Sequence, residues 1–381
     1  MSKEKDEKKD KNRMSLEAVI SAVNKKFGQH AIKKVTEAKS LSLQRISSGI
    51  FSLDIAIGGG FPRGRASLII GEKSSGKTTV ANKVVASFQK HCRNCSSLLT
   101  LCKCKDPEPM RIAYVDAEGT YDPVWSKSLG VNNDNVHMVQ PDFAEMAVDT
   151  IELLLRTGEI DLLVIDSNAA LVPSVEIEAS SEDQFMGVHA RLLNKMCRAI
   201  TAAFNNLGLD YMQKPHVIMI NQFREKLGIS YGSPLVIPGG RGQHHLSAIT
   251  IEMKPAQRIG SDGTINPKQD KFIDATQSII GTVHNFEITK NKTFSPFKRG
   301  SFKLFNTSYT MDEIDYKKGS HNEQEQIFQY GVAHGFIEKT GAWYSYQTHK
   351  LGQGIVNASR NLSDEQVSEL KLAILRKELD M

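Results

Sequence analysis

The stretch Gly71-Glu72-Lys73-Ser74-Ser75-Gly76-Lys77-Thr78 matches the pattern G-x-x-x-x-G-K-[ST] in full. It lies between an apolar run at 66–70, which predicts a buried strand, and a predicted helix. In such a loop the backbone N–H groups surround a phosphate, and the helix N-terminus adds partial positive charge. Lys77 would hold the β- and γ-phosphates and Thr78 would bind Mg²⁺. The alternative is an accidental Gly/Ser turn, but the flanking elements favour a nucleotide site.

Further apolar runs, alternating with helical patterns, predict the rest of the fold. They lie at 112–115, 136–139, 162–165 and 217–220. Near-continuous apolar strands separated by helices indicate a mostly parallel sheet that is buried on both faces. The predicted fold class is therefore α/β. Runs at 248–253, 284–289 and 301–305 are more polar, and we expect them to form strands nearer an edge of the sheet.

Polar residues follow three of the predicted parallel strands. Asp166 ends one strand, where a second Mg²⁺ ligand belongs. Glu118 and Gln222 follow two others, and ligands bind beyond the carboxyl ends of such strands. Glu118 would polarise a water for hydrolysis, or would be an acid beside a helix N-terminus. Gln222 would sense the γ-phosphate and change the conformation of the segment after it.

Composition sets broad limits. The chain has 381 residues, 40% hydrophobic and 24% charged, which is an ordinary globular balance over more than one domain. The formal net charge of +5 is too small to establish nucleic-acid binding. No apolar stretch approaches the ~20 residues of a membrane span, and the N-terminus lacks an apolar signal core. We expect a cytoplasmic protein with no membrane partner.

The chain divides into four predicted parts. Residues 1–13 are a disordered charged tail, and 14–44 form an N-terminal helical oligomerisation segment. In that segment an apolar stripe at helical spacing runs from Leu16 to Phe27, and Gly28 is placed to end the helix. Residues 45–305 form the ATPase core. Residues 306–381 form a small α+β domain, whose last helix begins at a cap of Ser363 with Gln366 three residues on.

Nine strings of sequence occur in an order that resembles the bacterial RecA recombinase family. The resemblance covers about residues 14–360. The strings are Ser-Leu-Asp-Ile-Ala at 52–56, the phosphate loop at 71–79, Val-Asp-Ala-Glu at 115–118, Leu-Val-Ile-Asp-Ser at 163–167, Met-Gly at 186–187, Ile-Asn-Gln at 220–222, Lys-Asn-Lys at 290–292, Pro-Phe-Lys at 296–298 and Gly-Ala-Trp-Tyr-Ser-Tyr at 341–346. A phosphate loop alone would indicate only an NTPase.

The resemblance implies a RecA-type P-loop NTPase core and a helical filament of protomers on single-stranded DNA, with ATP and Mg²⁺ at each subunit interface. It implies homologous pairing with double-stranded DNA and strand exchange, in DNA recombination, DNA repair and the SOS response to DNA damage. Repressor-type and mediator proteins are further partners that the family implies.

Several site residues take roles from the same resemblance. It makes Glu118 the catalytic base, acting with Lys77, and it makes Gln222 the residue that couples ATP to the second DNA loop. Lys290 and Lys292 match a pair that reaches the γ-phosphate of the neighbouring subunit.

The predicted nucleotide contacts extend beyond the phosphate loop. Thr79 continues it, and Asp122 and Trp125 match positions that contact adenine in the family. Trp125 replaces the usual Tyr, which keeps stacking and alters hydrogen bonding.

Two segments are candidates for DNA binding. The first, about 178–187, is too polar for a core helix and is followed by cations at helical spacing, which would neutralise phosphates or form a solvated helix face. The second, about 224–241, is rich in Gly and Pro and lacks periodicity over a length that is usually functional or disordered. The candidate residues, including a Met that would wedge between bases, are Met186, Arg191, Arg198, Arg224, Lys226, Gly239 and Gly240.

Some positions depart from the family pattern. Arg241, His244 and His245 replace an Asn, a Lys and a Phe that are tied to cooperativity between subunits, so allosteric coupling here is in doubt. Gly119 replaces a common His beside the catalytic acid. Residues 362–381 carry mixed charge rather than a long acidic tail, so we expect little self-inhibition.

Four of the five cysteines, Cys92, Cys95, Cys102 and Cys104, lie in a segment of about 90–107 that the family pattern lacks. Two close thiol pairs joined by a short loop can bind Zn²⁺ tetrahedrally, so structural zinc is the leading hypothesis. Reduced surface thiols and redox switching are the alternatives. The insertion favours a divergent or phage-borne member of the family, although the sequence does not reveal whether its source is a cell or a phage.

Two other functions are alternatives to a strand-exchange recombinase. Branch-migration helicases share the core, but their cysteines precede the phosphate loop and they carry K-N-R-F-G, where this chain has Lys-Asn-Lys-Thr-Phe at 290–294. A non-catalytic filament-binding paralogue would not need the full set of catalytic residue types that this chain retains.

Overall fold

A computed structural model describes residues 14–28, 31–32, 34, 43–178, 187–205, 214–225, 235–261, 263–266, 279–311 and 314–380. The chain divides into two compact units, one before Gln44 and one that begins at Gln44. The predictions for residues 1–13 lie outside the described residues. No helix in these ranges is long and apolar enough to cross a bilayer.

The helices are α1 (Leu16–Phe27), α2 (Phe51–Ile57), α3 (Lys77–Phe88), α4 (Pro123–Ser128), α5 (Ala144–Arg156), α6 (Ser174–Glu178), α7 (Val188–Phe204), α8 (Gly242–Leu246), α9 (Glu323–Ala333), α10 (Ile355–Arg360) and α11 (Asp364–Glu378). The strands are β1 (Arg45–Ile46), β2 (Phe61–Pro62), β3 (Ala66–Gly71), β4 (Ile112–Asp116), β5 (Val136–Val139), β6 (Leu162–Asp166), β7 (His216–Gln222), β8 (Arg224–Glu225), β9 (Leu235–Val236), β10 (Ser247–Met253), β11 (Gln257–Gly260), β12 (Ile265–Asn266), β13 (Ile279–Asn291), β14 (Arg299–Phe305), β15 (Tyr309–Met311), β16 (Ile314–Tyr316), β17 (Ile337–Thr340), β18 (Trp343–Tyr346) and β19 (His349–Gln353).

Helix α1 forms where the apolar stripe predicted it. The Ser15 hydroxyl accepts a hydrogen bond from the Ala18 N–H at 3.2 Å, which caps the N-terminus. Gly28 ends the helix at φ +107°, a backbone conformation that disfavours side chains with a Cβ. The role of this segment in oligomerisation stays a prediction.

The central sheet is mostly parallel, as predicted. In the described part of the chain it contains ten strands, in the order β12-β11-β13-β10-β3-β7-β6-β4-β5, with β14 paired to β13. Six neighbouring strands, β10-β3-β7-β6-β4-β5, are mutually parallel. Strands β11, β12, β13 and β14 join this sheet through antiparallel pairs. The register places Gly71 opposite Gln222 and Asp116 opposite Asp166, so the carboxyl ends of four strands meet at one edge.

The expectation that 248–253 lies near an edge of the sheet is wrong. Strand β10 lies between β3 and β13, and six of its seven residues are buried, with Glu252 half-buried. Its polar residues fit inside because they are paired: the hydroxyl oxygens of Ser247 and Thr250 lie 3.2 Å apart. Burying a hydroxyl group costs little free energy when it keeps a hydrogen-bond partner. The polarity of a strand therefore does not by itself indicate that the strand lies at an edge.

Helices cover both faces of the sheet because successive strand residues point to opposite sides. On β6, Leu163 belongs to the core beneath α5 and α7, and Val164 belongs to the core beneath α3. This layering fixes the directions in which the residues after each strand leave the sheet.

The C-terminal residues form a small antiparallel sheet, β17-β18-β19, packed with α9 to α11. The predicted cap is present: Ser363 and Gln366 form a reciprocal capping box at the start of α11. Phe51 of α2 packs edge-on against Tyr330 of α9, with ring centroids 5.6 Å apart. This contact joins the small domain to the core.

Candidate active site

The phosphate loop connects β3 to α3, and Lys77 is the first residue of the helix. Its ammonium donates to the carbonyl oxygens of Gly71 at 3.2 Å and Glu72 at 2.6 Å. Gly76 precedes it at φ +95°. Burial lowers the pKa of Lys77, an effect that the nearby carboxylates oppose. The Ser75 hydroxyl also donates to the Glu72 carbonyl, at 2.9 Å, so the loop is held by its own residues.

Asp166 lies at the end of β6, beside the start of α3. Its Oδ2 accepts hydrogen bonds from the hydroxyls of Thr78 at 2.8 Å and Tyr114 at 2.9 Å. Burial raises the pKa of Asp166 to about 6, although both hydrogen bonds oppose the shift. Thr78 and Asp166, the two residues predicted to hold Mg²⁺, are therefore adjacent.

Glu118 joins the ends of three strands. Its Oε1 accepts a hydrogen bond from the Ser167 hydroxyl at 2.6 Å and another from the Gln222 side-chain amide at 2.9 Å. Glu118 follows β4, Ser167 follows β6, and Gln222 is the last residue of β7. The sequence indicated that Glu118 and Gln222 would share a crevice. It gave no signal for Ser167, whose contact depends on the exact path of the chain after β6.

These residues surround a cleft of about 580 Å³. It is lined by Lys73, Ser74, Gly76, Lys77, Thr78, Thr79, Glu118, Asp122, Trp125, Asp166, Gln222, Thr282, His284, Leu304, Asn306 and Lys318. Of the predicted phosphate-loop residues, Gly71, Glu72 and Ser75 do not line it.

The far wall of the cleft contains Asp122 and Trp125, which the sequence predicted as nucleotide contacts, and Lys318, which it did not identify. The Asp122 carboxylate caps α4 by accepting from the Val124 and Trp125 N–H groups at 2.8 and 3.0 Å. The Lys318 ammonium lies 5.7 Å from the centroid of the Trp125 ring, within cation–π range. Almost 200 residues separate these two positions, and no local motif indicated their contact.

His284 of β13 packs directly beneath the phosphate loop. Its Nδ1 donates to the Ser75 carbonyl at 3.2 Å, so Nε2 accepts from the Thr282 hydroxyl at 2.9 Å. A Cβ at Gly76 would lie 2.4 Å from this Nδ1, so the glycine is needed for space as well as for its positive φ. Burial lowers the pKa of His284, which keeps the ring neutral.

Lys290 and Lys292 do not line the cleft. The Lys290 ammonium contacts the carbonyl of His244, and that of Lys292 donates to the carbonyl of His245 at 3.4 Å. Burial, followed by the charge of Lys290, lowers the pKa of His244. The predicted reach of both lysines to a neighbouring subunit stays a prediction.

The DNA-binding predictions fall partly outside the described residues: Met186 and Lys226 are not among them. Arg191 and Arg198 are exposed on α7. A guanidinium nitrogen of Arg224 donates to the Ala169 carbonyl at 3.4 Å. The backbones of Gly239 and Gly240 have φ of +86° and +77°.

Gln243 ties the end of the second segment to β7, a role that the sequence did not reveal. Its Oε1 accepts from the amides of Asn168 and Asn221, both at 2.8 Å, and its own amide contacts the Pro238 carbonyl. Gln243 is buried. The chain thus leaves β7 at Gln222 and returns to the same strand end at 238.

The four clustered cysteines converge. The Sγ atoms of Cys92, Cys95, Cys102 and Cys104 all lie within 4.8 Å of one another, as the thiols of a tetrahedral site would, since Zn–S bonds of about 2.3 Å imply S–S edges of about 3.8 Å. The insertion is fixed to the core through Arg93, which pairs with Glu159 at 2.9 Å and Asp161 at 3.5 Å. The four thiols are therefore close enough together to bind one metal ion.

Comparison with known proteins agrees with this architecture. The family model described as the RecA N-terminal domain matches residues 14–309, and that of the RecA C-terminal domain matches 325–377. The chain belongs to the RecA family. The protein named RecA of Streptomyces venezuelae is 36% identical over 351 residues, 92% of this chain and 80% of that protein. Those of Clostridium novyi and a Nocardioides species are 36% and 35% identical, covering 92% and 95% of this chain, and 87% and 91% of their own lengths.

Membership of the RecA family carries a recombinase function, with ATP and DNA binding in DNA recombination and repair. The predicted family and fold class are therefore confirmed.

Tyr114→Phe tests the environment of Asp166. Removing the hydroxyl deletes a hydrogen bond that stabilises the carboxylate, so the pKa of Asp166 should rise above about 6. The carboxylate is the form that would bind the cation, so nucleotide binding in the presence of Mg²⁺ should weaken as the pH falls. In the variant this weakening should begin at a higher pH than in wild type. The measurement is ADP affinity between pH 5 and 8, with Tyr309→Phe as the control. If ADP affinity falls at the same pH in the variant and in wild type, Asp166 is not the cation ligand that Tyr114 stabilises.

Proposed function

We propose that the protein is an ATP-dependent recombinase that assembles as a helical filament on single-stranded DNA, pairs it with homologous double-stranded DNA and exchanges strands. The observation that carries this proposal is the hydrogen bond between Glu118 and Gln222, since it links the acid in the cleft to the strand that leads into 224–241. A nucleotide site without such a link would fit an NTPase that is indifferent to DNA.

Each cleft residue has a proposed part in hydrolysis. Lys77 and the backbone N–H groups of 73–78 bind the β- and γ-phosphates. Thr78 and Asp166 would hold Mg²⁺, which neutralises phosphate charge when bound. Glu118 accepts the proton of the attacking water, and Ser167 and Gln222 orient its carboxylate.

Gln222 connects hydrolysis to DNA. When its amide turns from Glu118 toward a γ-phosphate, β7 and the segment after it must adjust, while Gln243 holds the other end of that segment. Arg191, Arg198, Arg224 and Lys226 are the proposed phosphate contacts on DNA. Because such contacts do not read sequence, binding should be nearly sequence-independent and should weaken with salt.

Glu118→Gln should lower kcat for ATP hydrolysis by about 10²–10⁴-fold, because the amide cannot accept the proton. Nucleotide binding should persist, since the side chain keeps its size. Steady-state hydrolysis with and without single-stranded DNA measures the effect, and Glu338→Gln on the exposed β17 is the control. A variant that keeps most of the wild-type rate would exclude Glu118 as the base.

We propose further that Cys92, Cys95, Cys102 and Cys104 bind one structural Zn²⁺. The support is the convergence of their Sγ atoms and the attachment of the insertion through Arg93. Four thiolate ligands would leave no open position for chemistry.

Elemental analysis of the reduced protein should find one zinc per chain, none in the Cys92→Ser, Cys95→Ser double variant, and one in Cys197→Ser. The double variant should also melt at a lower temperature, since structural zinc contributes folding free energy. Wild-type protein that stays zinc-free after incubation with Zn²⁺ would overturn this assignment.

A further inference from the structure

A second cavity, of about 340 Å³, lies at the junction of α3, the cysteine insertion, the segment 47–59 and the C-terminal domain. It shares no lining residue with the nucleotide cleft. Charged and titratable side chains from all four of these elements line it: Asp54, Lys83, Lys90, His91, His321, Glu323 and Lys371.

The two carboxylates of the cavity are already satisfied. Glu323 Oε1 accepts from the Lys371 ammonium at 2.5 Å. Asp54 accepts from the Ser47 hydroxyl at 2.5 Å and from the Ser48 N–H at 2.7 Å. These contacts leave Lys83 and Lys90 as the cations that no carboxylate neutralises directly.

Lys83 lies on α3 and Lys90 lies just after it, and both line the cavity. The Lys83 ammonium is buried and makes one hydrogen bond, to the Gly319 carbonyl at 2.7 Å, which leaves N–H groups to donate. Within the described ranges no carboxylate oxygen lies within 4 Å of the Lys90 ammonium. Burial, followed by the charge of Lys90, lowers the pKa of Lys83 to about 8.

His321 supplies a third unused group. Its Nε2 is buried and has no hydrogen-bond partner in the described part of the molecule; the nearest carboxylate oxygen, of Glu323, lies 3.9 Å away. Only 14% of the side chain is exposed. A buried polar atom without a partner is costly, and a bound ligand is one of the ways in which proteins satisfy it.

We propose that this cavity binds the phosphate group of an anionic ligand, held by Lys83, Lys90 and His321. Phosphate oxygens accept hydrogen bonds from the ammonium groups of Lys83 and Lys90, and from His321 Nε2 in the tautomer that carries its proton on that nitrogen. The volume also admits a pyrophosphate or the phosphate of a larger molecule. The phosphate could belong to a small compound or to the backbone of DNA.

The test uses the full chain with its nucleotide cleft filled by a non-hydrolysable ATP analogue and Mg²⁺, since ADP would leave the γ-phosphate position open to the added anion. Inorganic phosphate or pyrophosphate then reaches the second cavity alone. The melting temperature is measured while either anion replaces chloride at constant ionic strength. A ligand that binds only the folded state raises it in proportion to occupancy.

The Lys90→Ala, His321→Gln double variant and Lys90→Ala alone are compared with the Lys350→Ala, His349→Gln control, whose residues are exposed outside the cavity. Lys90 is itself exposed, so its substitution should not prevent folding. Wild type and control should show a saturable rise in melting temperature, and both cavity variants should bind at least tenfold more weakly. Equal responses in all four proteins, or none in any, would overturn the proposal.

A second experiment, which measures DNA binding, identifies the source of the phosphate. Single-stranded DNA affinity is measured at several salt concentrations for the same four proteins. A loss of affinity with a shallower salt dependence in both cavity variants would identify DNA backbone phosphate. Unchanged DNA binding together with lost anion binding would identify a small phosphate compound.

Discussion

The hydrogen bonds that meet at Glu118 Oε1 are the constraint on which the proposed function depends. Ser167 and Gln222 both donate to this one oxygen, from the ends of β6 and β7. A carboxylate held by two donors has a fixed orientation, which a proton acceptor in hydrolysis requires. The same contact makes the position of β7 sensitive to any change at the acid, so catalysis and the segment after β7 cannot vary independently.

The parallel sheet makes this meeting possible. Because β3, β7, β6 and β4 are adjacent and parallel, the phosphate loop, Gln222, Asp166 and Glu118 all emerge at one edge. Antiparallel extension through β13 then brings His284 beneath the loop and supplies the wall that faces Trp125. The antiparallel strands are thus part of the site, although no sequence motif marks the residues through which they line the cleft.

The sequence predicted those features that local pattern determines. The loop at 71–78, α1, the parallel strands and the capping box of α11 were all located within a few residues, because periodicity and cap chemistry are local. Glu118, Asp166 and Gln222 were found because their distance from a strand end fixes where they lie. The clustered cysteines were found because spacing alone brings their thiols together.

Contacts between distant segments could not be read in this way. Tyr114 reaches Asp166 through the strand register, His284 reaches Ser75 across 209 positions, and Lys318 reaches Trp125 from another element. The position of strand β10 could not be predicted from its polar residues, because Ser247 and Thr250 hydrogen-bond to each other inside the sheet and so do not need solvent. The satisfied and unsatisfied groups around His321 come from four separate stretches of chain, and only their three-dimensional packing reveals them.

The most direct test of the coupling is ATP hydrolysis by Gln222→Ala with increasing single-stranded DNA, beside wild type and the exposed Gln347→Ala. The account predicts that the DNA-independent rate falls no more than a few-fold, because Ser167 still holds the Glu118 carboxylate and because Lys77, Thr78 and Asp166 remain. It predicts that DNA no longer stimulates hydrolysis, because the link between Glu118 and the segment after β7 is lost. Stimulation equal to that of wild type would contradict the claim that Gln222 connects the two sites.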